Sequence, residues 1–343
     1  MTDMSDLTLV VPFALPPPEL AADLVRALEA PNLAALLTRS AAFRQSTHDD
    51  AARALPHEFW LARSLGLVDG DRLALAGAVM RGFGLDPGAD DWLIVHPAHI
   101  EIARTHLSMM DLRRLALVES HARALFDSAK PYFDEDGHTL LFGDASTWFM
   151  RAGDWASLAT TSPEATGGMN LTDSLPLGDR ALAYRKLQNE VQMLWHSHPA
   201  NAEREARGLP AINGFWPWAA ANGARRSEAR IASAGAPAWL AALGETVHSH
   251  IGDWIIRPER PAIFVEANLI EPYLAADWAT WLAQMKRIDH ELLAPVLALV
   301  KGGMKAKLVL SHRTALLEVG ASAMAQRSFW RRHSLERLLP AAP

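Results

Sequence analysis

The sequence predicts an α/β fold with a doubly wound, mostly parallel sheet, and three observations lead to this fold class. Leu7 to Ala14 is a short apolar run with β-branched residues, which indicates a buried first strand. Three prolines follow it, and a helical segment from Glu19 to Glu29 begins directly after them. Strand and helix patterns then alternate, as in layered α/β proteins. In such a sheet ligands bind beyond the carboxyl ends of the strands.

The first part of the chain continues with a second helix, which Asn32 can cap and which runs through Arg39. Glycines and a proline between residues 82 and 88 then mark a domain boundary. A second boundary is the Gly-, Thr-, Ser- and Pro-rich stretch from Thr160 to Asp179. We therefore expect residues 1–87 and 175–343 to form the core and residues 88–174 to form an inserted small α+β domain.

The inserted segment shows a β-α-β-β pattern. Its predicted elements are a strand at Asp91–His96, a helix at Leu117–Lys130, and two strands at His138–Phe142 and Thr147–Arg151.

The most informative stretch of the chain runs from Tyr184 to Trp218. Its first half has apolar residues at helical spacing, and Pro199 is predicted to stop this helix. The second half is predicted to be a dense polar loop, which ends in an aromatic cluster around Trp216.

The last part of the chain returns to alternating elements. A long helix is predicted from Ala275 to Val300, kinked by Pro295 and ended by Gly302. The basic tail, Arg327 to Arg337, is expected to dock on its own domain rather than on a partner. The other predicted elements are strands at Ala229–Ser233 and Pro261–Ala267, a helix at Pro237–Leu243, and a hairpin of Lys307–Leu310 with Thr314–Val319.

Composition excludes several classes of function. The chain has 343 residues, of which half are hydrophobic, and its net charge is −6, so it carries no electrostatic footprint for nucleic acid. Cysteine is absent, which excludes disulfides, thiolate catalysis and cysteine-based zinc sites. The sequence shows no signal-like segment at its start and no apolar run near 20 residues. We expect a soluble cytoplasmic protein without a membrane partner.

One segment carries a family resemblance. Its matching residues are His198, Pro199, Asn201, Arg204, Gly208, Asn213, Trp216 and Trp218. The segment resembles the archaeal-type cofactor-independent phosphoglycerate mutases, and it is closer still to the bacterial RpfE-type regulatory proteins. This resemblance implies an alkaline-phosphatase-like core with an inserted lid domain. The chain departs from the pattern after Trp218, where relatives place glycines and it has Ala219 and Ala220.

The catalytic residues that the resemblance implies are missing. Active members end the first strand in a metal-binding aspartate, whereas this chain has Val11, Pro12 and Phe13. The segment Leu55–Gly66 lacks the serine nucleophile at its helix start, since Ser64 falls inside the predicted helix. The late Asp-His pair reads Ser311 and His312. Lys286, Ile288 and Asp289 do match the family's long helix, and we interpret that match as packing.

The histidine pairs are candidates for a different metal site. His196 and His198 sit on a helix end and should diverge, whereas His248 and His250, with Asp253 nearby, could converge. His312 is a further weak candidate. Surface or core histidines remain the favoured interpretation. Adjacent pairs such as His57 and Glu58 are expected to face different directions.

Two hypotheses of function remain open. In the first, the chain is a non-catalytic regulatory protein that needs no cofactor and binds a small phosphorylated or carboxylated metabolite or a protein partner. In the second, it is an active phosphoglycerate mutase or phosphohydrolase with a rearranged site, which requires two divalent metals such as manganese or zinc. Whether it is an enzyme is left open by the sequence.

The candidate ligand residues follow the family segment. Arg204 is the first choice because a guanidinium binds phosphate or carboxylate bidentately. The supporting candidates are Asn201, His198, Arg185 and Arg207. In the competing interpretation, Arg204 anchors the loop to neighbouring acidic residues or carbonyls and Asn201 caps a turn.

Overall fold

The structure is a computed structural model that describes residues 6–103, 106–227, 229–248, 251–257, 262–328 and 330–340. Its strands are β1 (Leu7–Val11), β2 (Ala42–Thr47), β3 (Val68–Asp69), β4 (Arg72–Leu73), β5 (Asp91–Ala98), β6 (Ile100–Ala103), β7 (His106–Met109), β8 (Leu140–Phe142), β9 (Trp148–Arg151), β10 (Gly214–Asn222), β11 (Ile231–Ala234), β12 (Gly244–Thr246), β13 (Ile263–Glu266), β14 (Ala306–Ser311) and β15 (Ala315–Ala321).

The helices are α1 (Ala21–Ala27), α2 (Pro31–Thr38), α3 (Pro56–Ser64), α4 (Ala76–Gly82), α5 (Glu119–Glu135), α6 (Pro163–Thr166), α7 (Leu171–Ser174), α8 (Ala181–His196), α9 (Pro199–Ala206), α10 (Ala238–Ala241), α11 (Ile251–Ile255), α12 (Ile270–Leu274), α13 (Trp278–Ile288), α14 (Ala294–Lys301) and α15 (Ala323–Gln326). Short 3₁₀ turns occupy Leu112–Leu115, Gly153–Ser157 and Glu336–Leu338. No helix in the described ranges is long and apolar enough to cross a membrane.

Two compact units divide the chain. Unit 1 contains residues 1–50, 229–236 and 244–343, and unit 2 contains residues 51–228 and 237–243. These bounds differ from the predicted ones at 88 and 174. The difference arises because β10, which the prediction assigned to the core, pairs along its length with β5 of the predicted insert.

Unit 1 is built on a seven-stranded sheet with the order β12-β11-β13-β1-β14-β15-β2. The five strands from β12 to β14 are parallel, and β15 and β2 are added antiparallel at one edge. All five residues of β1 are buried, as a central parallel strand requires. The predicted α/β class with a mostly parallel sheet is therefore confirmed. The strand β2 was not predicted, because its sequence, AFRQST, is largely polar and exposed.

The long helix of unit 1 is not continuous. Between α13 and α14 the residues Asp289–Leu293 form a π-helical turn. Pro295 lies just after it, and a proline has no N–H to donate to the carbonyl four residues earlier. The predicted interruption thus takes the form of a widened turn. Gly302 ends α14, as predicted.

A second correction concerns Asn32. It does not cap α2, because that helix begins at Pro31 and Asn32 lies within its first turn. Asp289 performs this role instead, since its carboxylate accepts hydrogen bonds from the main-chain N–H groups of Asn32 and Leu33.

Unit 2 contains an antiparallel four-stranded sheet with the order β10-β5-β9-β8. The strands and helix predicted for residues 88–174 are present as β5, α5, β8 and β9, and none of them pairs with β1 in the described residues. The helices α5 and α8 cover one face, where Trp195 donates through Nε1 to the Leu125 carbonyl at 3.1 Å. Most tryptophans in this unit are buried core residues.

Candidate functional site

The carboxyl ends of β11, β13, β1 and β14 meet at one edge of the sheet in unit 1, where a doubly wound fold binds its ligands. The chain leaves β1 through Phe13, which is fully buried and has φ +57°. Its N–H donates to Ser311 Oγ at 3.4 Å, and its carbonyl accepts from Trp281 Nε1 at 2.9 Å. A packed aromatic residue therefore lies where the resemblance implies a metal-binding aspartate.

Glu266 is an acidic residue at this edge, at the end of β13. Its Oε1 accepts from Asn268 Nδ2 at 2.5 Å and from Arg287 Nη2 at 3.2 Å, and its side chain is fully buried. Burial raises the pKa of Glu266, and the Arg287 charge opposes that rise. Its second oxygen, Oε2, has no hydrogen-bond partner. The carboxylate is thus held by the protein on one side only.

The other metal candidates that the structure describes do not form a cluster. His312 follows β14; its Nδ1 accepts from Thr314 N at 3.1 Å, and burial lowers its pKa. His248 is exposed, His250 lies outside the described residues, and Asp253 is in α11 with its side chain likewise outside them. In the described part of the chain, no three His, Asp or Glu side chains are placed to hold a metal ion.

The predicted polar loop after Pro199 is a helix, α9. Pro199 ends α8 because it cannot continue a helix, but it also occupies the first turn of α9, where its missing N–H costs nothing. His198 is the N-cap, and its Nδ1 accepts from Ala200 N at 3.1 Å. The charged residues that follow Pro199 therefore lie on a helix and not on a solvated turn.

Arg204 is fully buried in unit 2. It donates to three main-chain carbonyls: from Nε to Pro210 at 2.9 Å, from Nη2 to Leu115 at 2.5 Å, and from Nη1 to Ala116 at 3.4 Å. Its donors therefore tie α9 to two loops. A guanidinium in this environment has no surface that faces solvent.

The remaining ligand candidates are dispersed. Asn201 is buried and bonds through its amide to the Trp195 carbonyl and to both main-chain groups of Ile212. Arg185 and Arg207 are exposed, and His198 is partly buried. The fully buried Arg204 and the exposed arginines consequently do not present one common surface.

Sequence reasoning missed a buried polar cluster in unit 2. This carboxylate cluster consists of His57, Glu58, Arg113, Ser162 and Glu164. Glu164 lies 2.8 Å from Arg113 Nη1 and 3.6 Å from His57 Nε2. Glu58 accepts from Ser162 Oγ at 2.6 Å. His57 and Glu58, which are adjacent in the sequence, contact Glu164 and Ser162 respectively, two residues of one segment.

The two carboxyl groups of this cluster have opposite pKa shifts. Burial, followed by the charge of Glu164, raises the pKa of Glu58 to about 8. For Glu164, burial acts in the same direction, but the Arg113 guanidinium and His57 override it and lower its pKa. The two shifts favour the protonated form of Glu58 and the ionised form of Glu164. The Oε1 atom of Glu58 has no hydrogen-bond partner in the described structure.

A cavity of about 270 Å³ adjoins the cluster at Arg113. Most of its wall is apolar; its lining residues are Pro97, Leu112, Arg113, Leu115, Ala116, Leu117 and Ser146. Arg113 is already engaged by Glu164 and by Asp111 at 3.2 Å, so this cavity offers no uncompensated positive charge. The only sequence signal for the cluster was Ser162-Pro163-Glu164, which has the composition of a capped helix start.

Comparisons with known proteins give a fold but no family. No family model matches the chain, and no curated protein matches its sequence. The structure of the PH0037 protein from Pyrococcus horikoshii is similar with a TM-score of 0.55 and 11% identity, covering 98% of this chain and 92% of that chain. A cofactor-independent phosphoglycerate mutase from Thermoplasma acidophilum DSM 1728 matches with a TM-score of 0.42 and 14% identity, over 93% of this chain and 90% of that one. The chain thus shares its α/β fold with the Pyrococcus protein.

Proposed function

We propose that this chain is a phosphoglycerate-mutase-like protein that has lost metal-dependent catalysis and acts as a cytoplasmic regulatory protein of the RpfE type. Unit 1 would then correspond to the alkaline-phosphatase-like core and unit 2 to the inserted lid. The observation that carries the proposal is the carboxyl edge of the parallel sheet. There Phe13 replaces the aspartate that the resemblance implies, and Glu266 is held by Arg287 and Asn268.

The residues at the positions that the resemblance assigns to catalysis support a non-catalytic role for a physical reason. Two-metal hydrolysis needs several carboxylates and histidines that converge on ions, together with an activated nucleophile. Ser64, the nearest serine to the expected nucleophile, is the last residue of α3, and its Oγ donates to the Trp60 carbonyl at 3.0 Å. A hydroxyl bonded back to its own helix is poorly placed for attack.

The ligand class that we propose is a small phosphorylated or carboxylated metabolite, which follows from the resemblance of residues 198–218. The burial of Arg204 supports its competing role as an anchor, so the ligand would meet other cations. Arg185 and Arg207, which are exposed, are the sequence candidates that a dissolved anion can reach.

The test separates catalysis from binding. The protein is incubated with manganese or zinc and dialysed, its metal content is measured, and it is assayed for phosphoglycerate mutase and p-nitrophenyl phosphatase activity. We expect less than one metal per chain and no turnover. Two retained metals per chain, or a turnover that chelation abolishes, would establish the active-enzyme alternative.

Binding is measured by thermal shift with phosphoglycerates, other phosphorylated metabolites and dicarboxylates, because a ligand of the native state raises the melting temperature. We expect a shift in the wild type that is reduced in Arg185→Ala or Arg207→Ala. The absence of a shift with every compound would contradict the metabolite class.

A further inference from the structure

The strand β2 is an exposed edge of the seven-stranded sheet in unit 1. Five of its six residues are exposed, and Ser46 is half-buried. Among the described residues, the other outer strands of the two larger sheets are short or mostly buried. β12 and β8 have three residues each, and β10 is mostly buried and contains Pro217. Proteins usually shorten, charge or cover a sheet edge because its unpaired groups recruit other strands. β2 has no proline, and Arg44 is its only charge.

The pairing of β2 with β15 determines which main-chain groups remain unpaired. The ladder aligns Ser46 with Leu316 and Arg44 with Glu318, and just beyond it His48 N donates to the Thr314 carbonyl at 2.7 Å. Alternate residues of an antiparallel strand bond to the same neighbour, so the main-chain groups of Arg44 and Ser46 face β15. Those of Phe43, Gln45 and Thr47 face outward, and they have no hydrogen-bond partner in the described structure.

We propose that β2 is a homodimer interface, in which two copies of this chain pair antiparallel through β2 with Gln45 on the two-fold axis. In this register Gln45 faces Gln45 of the second copy, and Phe43 faces its Thr47. All three outward-facing residues then form hydrogen-bonded pairs. The two seven-stranded sheets become continuous, and the interface is isologous, as in most homodimers.

Charge selects this register over its neighbours. With Gln45 on the axis, Arg44 lies opposite Ser46 of the second copy, so no like charges are opposed. A shift that puts Arg44 on the axis would set two guanidinium groups directly across from each other, which is destabilising, and would pair only two of the outward-facing residues. A shift that centres on Ser46 also leaves one of them unpaired. In this register β2 is complementary to β2 of a second copy, so a second copy of the chain is the partner that this edge favours.

One face of β2 is already supported within unit 1. The Arg337 guanidinium lies 4.5 Å from the centre of the Phe43 ring, and it also donates to the Leu37 carbonyl. In the described residues, no main-chain hydrogen bond joins this tail to Phe43, Gln45 or Thr47. The strand is thus held in an extended form before association, which lowers the entropy cost of pairing.

Oligomeric state tests the interface. Sedimentation of the full chain over a concentration series should show a monomer–dimer equilibrium. Gln45→Lys places two ammonium groups on the axis and should raise the dimer Kd by at least about tenfold. Gln192→Lys adds the same charge on the exposed face of α8 and should leave the Kd unchanged. Circular dichroism of both variants checks that they are folded.

Cross-linking tests the register. The chain contains no cysteine, so a single introduced thiol reports on its own position. Hydrogen-bonded antiparallel pairs have Cα atoms about 5.5 Å apart, which is within the range of a disulfide. Gln45→Cys should form a covalent dimer under mild oxidation, whereas Thr47→Cys, which is displaced from the axis, should form little.

Three results would overturn the proposal. They are a monomer at concentrations up to about 100 μM, a dimer that Gln45→Lys leaves intact, and cross-linking of Thr47→Cys as efficient as that of Gln45→Cys. None of these readouts depends on metal or metabolite binding, so a failure of the proposed function would not affect them.

Discussion

The carboxylate of Asp289 accepts a hydrogen bond from the main-chain N–H of Leu33 at 2.7 Å, across 256 residues of sequence. Its other oxygen accepts from Asn32 N and from Asn32 Nδ2. A buried side chain in the π-helical turn thus caps a helix from the opposite end of the chain. This explains the packing role that the sequence assigned to Asp289.

The first prediction follows from this cap. Asp289→Ala should lower the free energy of unfolding by about 2 to 3 kcal/mol, because it leaves the buried N–H of Leu33 and the part-buried N–H of Asn32 without an acceptor. Asp289→Asn should cost less, since it keeps one acceptor oxygen. Chemical denaturation measures both. Asp277→Ala is the control: Asp277 is an exposed cap of its own helix, and its loss should cost about 1 kcal/mol. Equal losses for Asp289→Ala and Asp277→Ala would contradict this account.

The second prediction concerns the end of α12. Ala276 has φ +53° and lies beyond the helix, where its N–H donates to Tyr273 and the next N–H, of Asp277, donates to Pro272. This is a Schellman ending, which favours glycine. Ala276→Gly should therefore raise the free energy of unfolding by about 0.5 to 1 kcal/mol. Ala275→Gly, with a right-handed backbone, should lower it by a similar amount. A change of the free energy of unfolding in the same direction for both variants would contradict the Schellman ending at Ala276.

The third prediction is a pH dependence. Because the pKa of Glu58 is raised to about 8 in the fold, its protonated form contributes stability that is full below its ordinary pKa of 4.5 and lost as pH rises through 8. Burial lowers the pKa of His96 to about 4, so the stability that its neutral form contributes is lost only as pH falls below 6.5. Between pH 6.5 and 8 the stability should therefore fall by up to about 1.4 kcal/mol per pH unit.

Glu58→Gln tests this dependence, since an amide can still accept from Ser162 and Leu55 but does not titrate in this range. The variant should flatten the stability profile between pH 6.5 and 8. Glu205→Gln removes an exposed charge and should leave the profile unchanged. A wild-type profile without a fall in this window would show that Glu58 is ionised in the fold.

The fourth prediction concerns Arg204. Arg204→Ala should lower the free energy of unfolding by roughly 3 kcal/mol, because three main-chain carbonyls, including that of the buried Leu115, lose their donor and a cavity remains. Arg204→Lys should restore only part of the lost free energy of unfolding, since an ammonium lacks the planar, forked set of donors of a guanidinium. Arg207→Ala, on the exposed end of α9, should change stability by less than about 0.5 kcal/mol. A near-native stability of Arg204→Ala, with loss of a ligand-induced thermal shift, would instead support the binding role.

Local sequence pattern predicted many, but not all, of the helices and strands of this protein. The buried first strand, the α/β alternation and the strands of the predicted insert could all be predicted, because hydrophobic periodicity and Gly or Pro boundaries act over a few residues. Pro199 shows the limit of that signal. A proline marks both the end of one helix and the start of the next, and only the continuation of the backbone distinguishes a loop from α9.

Tertiary structure decided which side chains share an environment. Glu58 and Glu164 are 106 positions apart, so no local pattern could show that the pKa of one is raised and that of the other lowered. The same holds for Arg204, whose guanidinium has the same chemistry toward a phosphate as toward a carbonyl. Because Arg204 is buried against Leu115 and Pro210, its N–H groups donate to the main-chain carbonyls of these residues. The sequence by itself determined which residues carry charge and which segments are apolar, whereas the partners of those charges depend on chain packing across long separations.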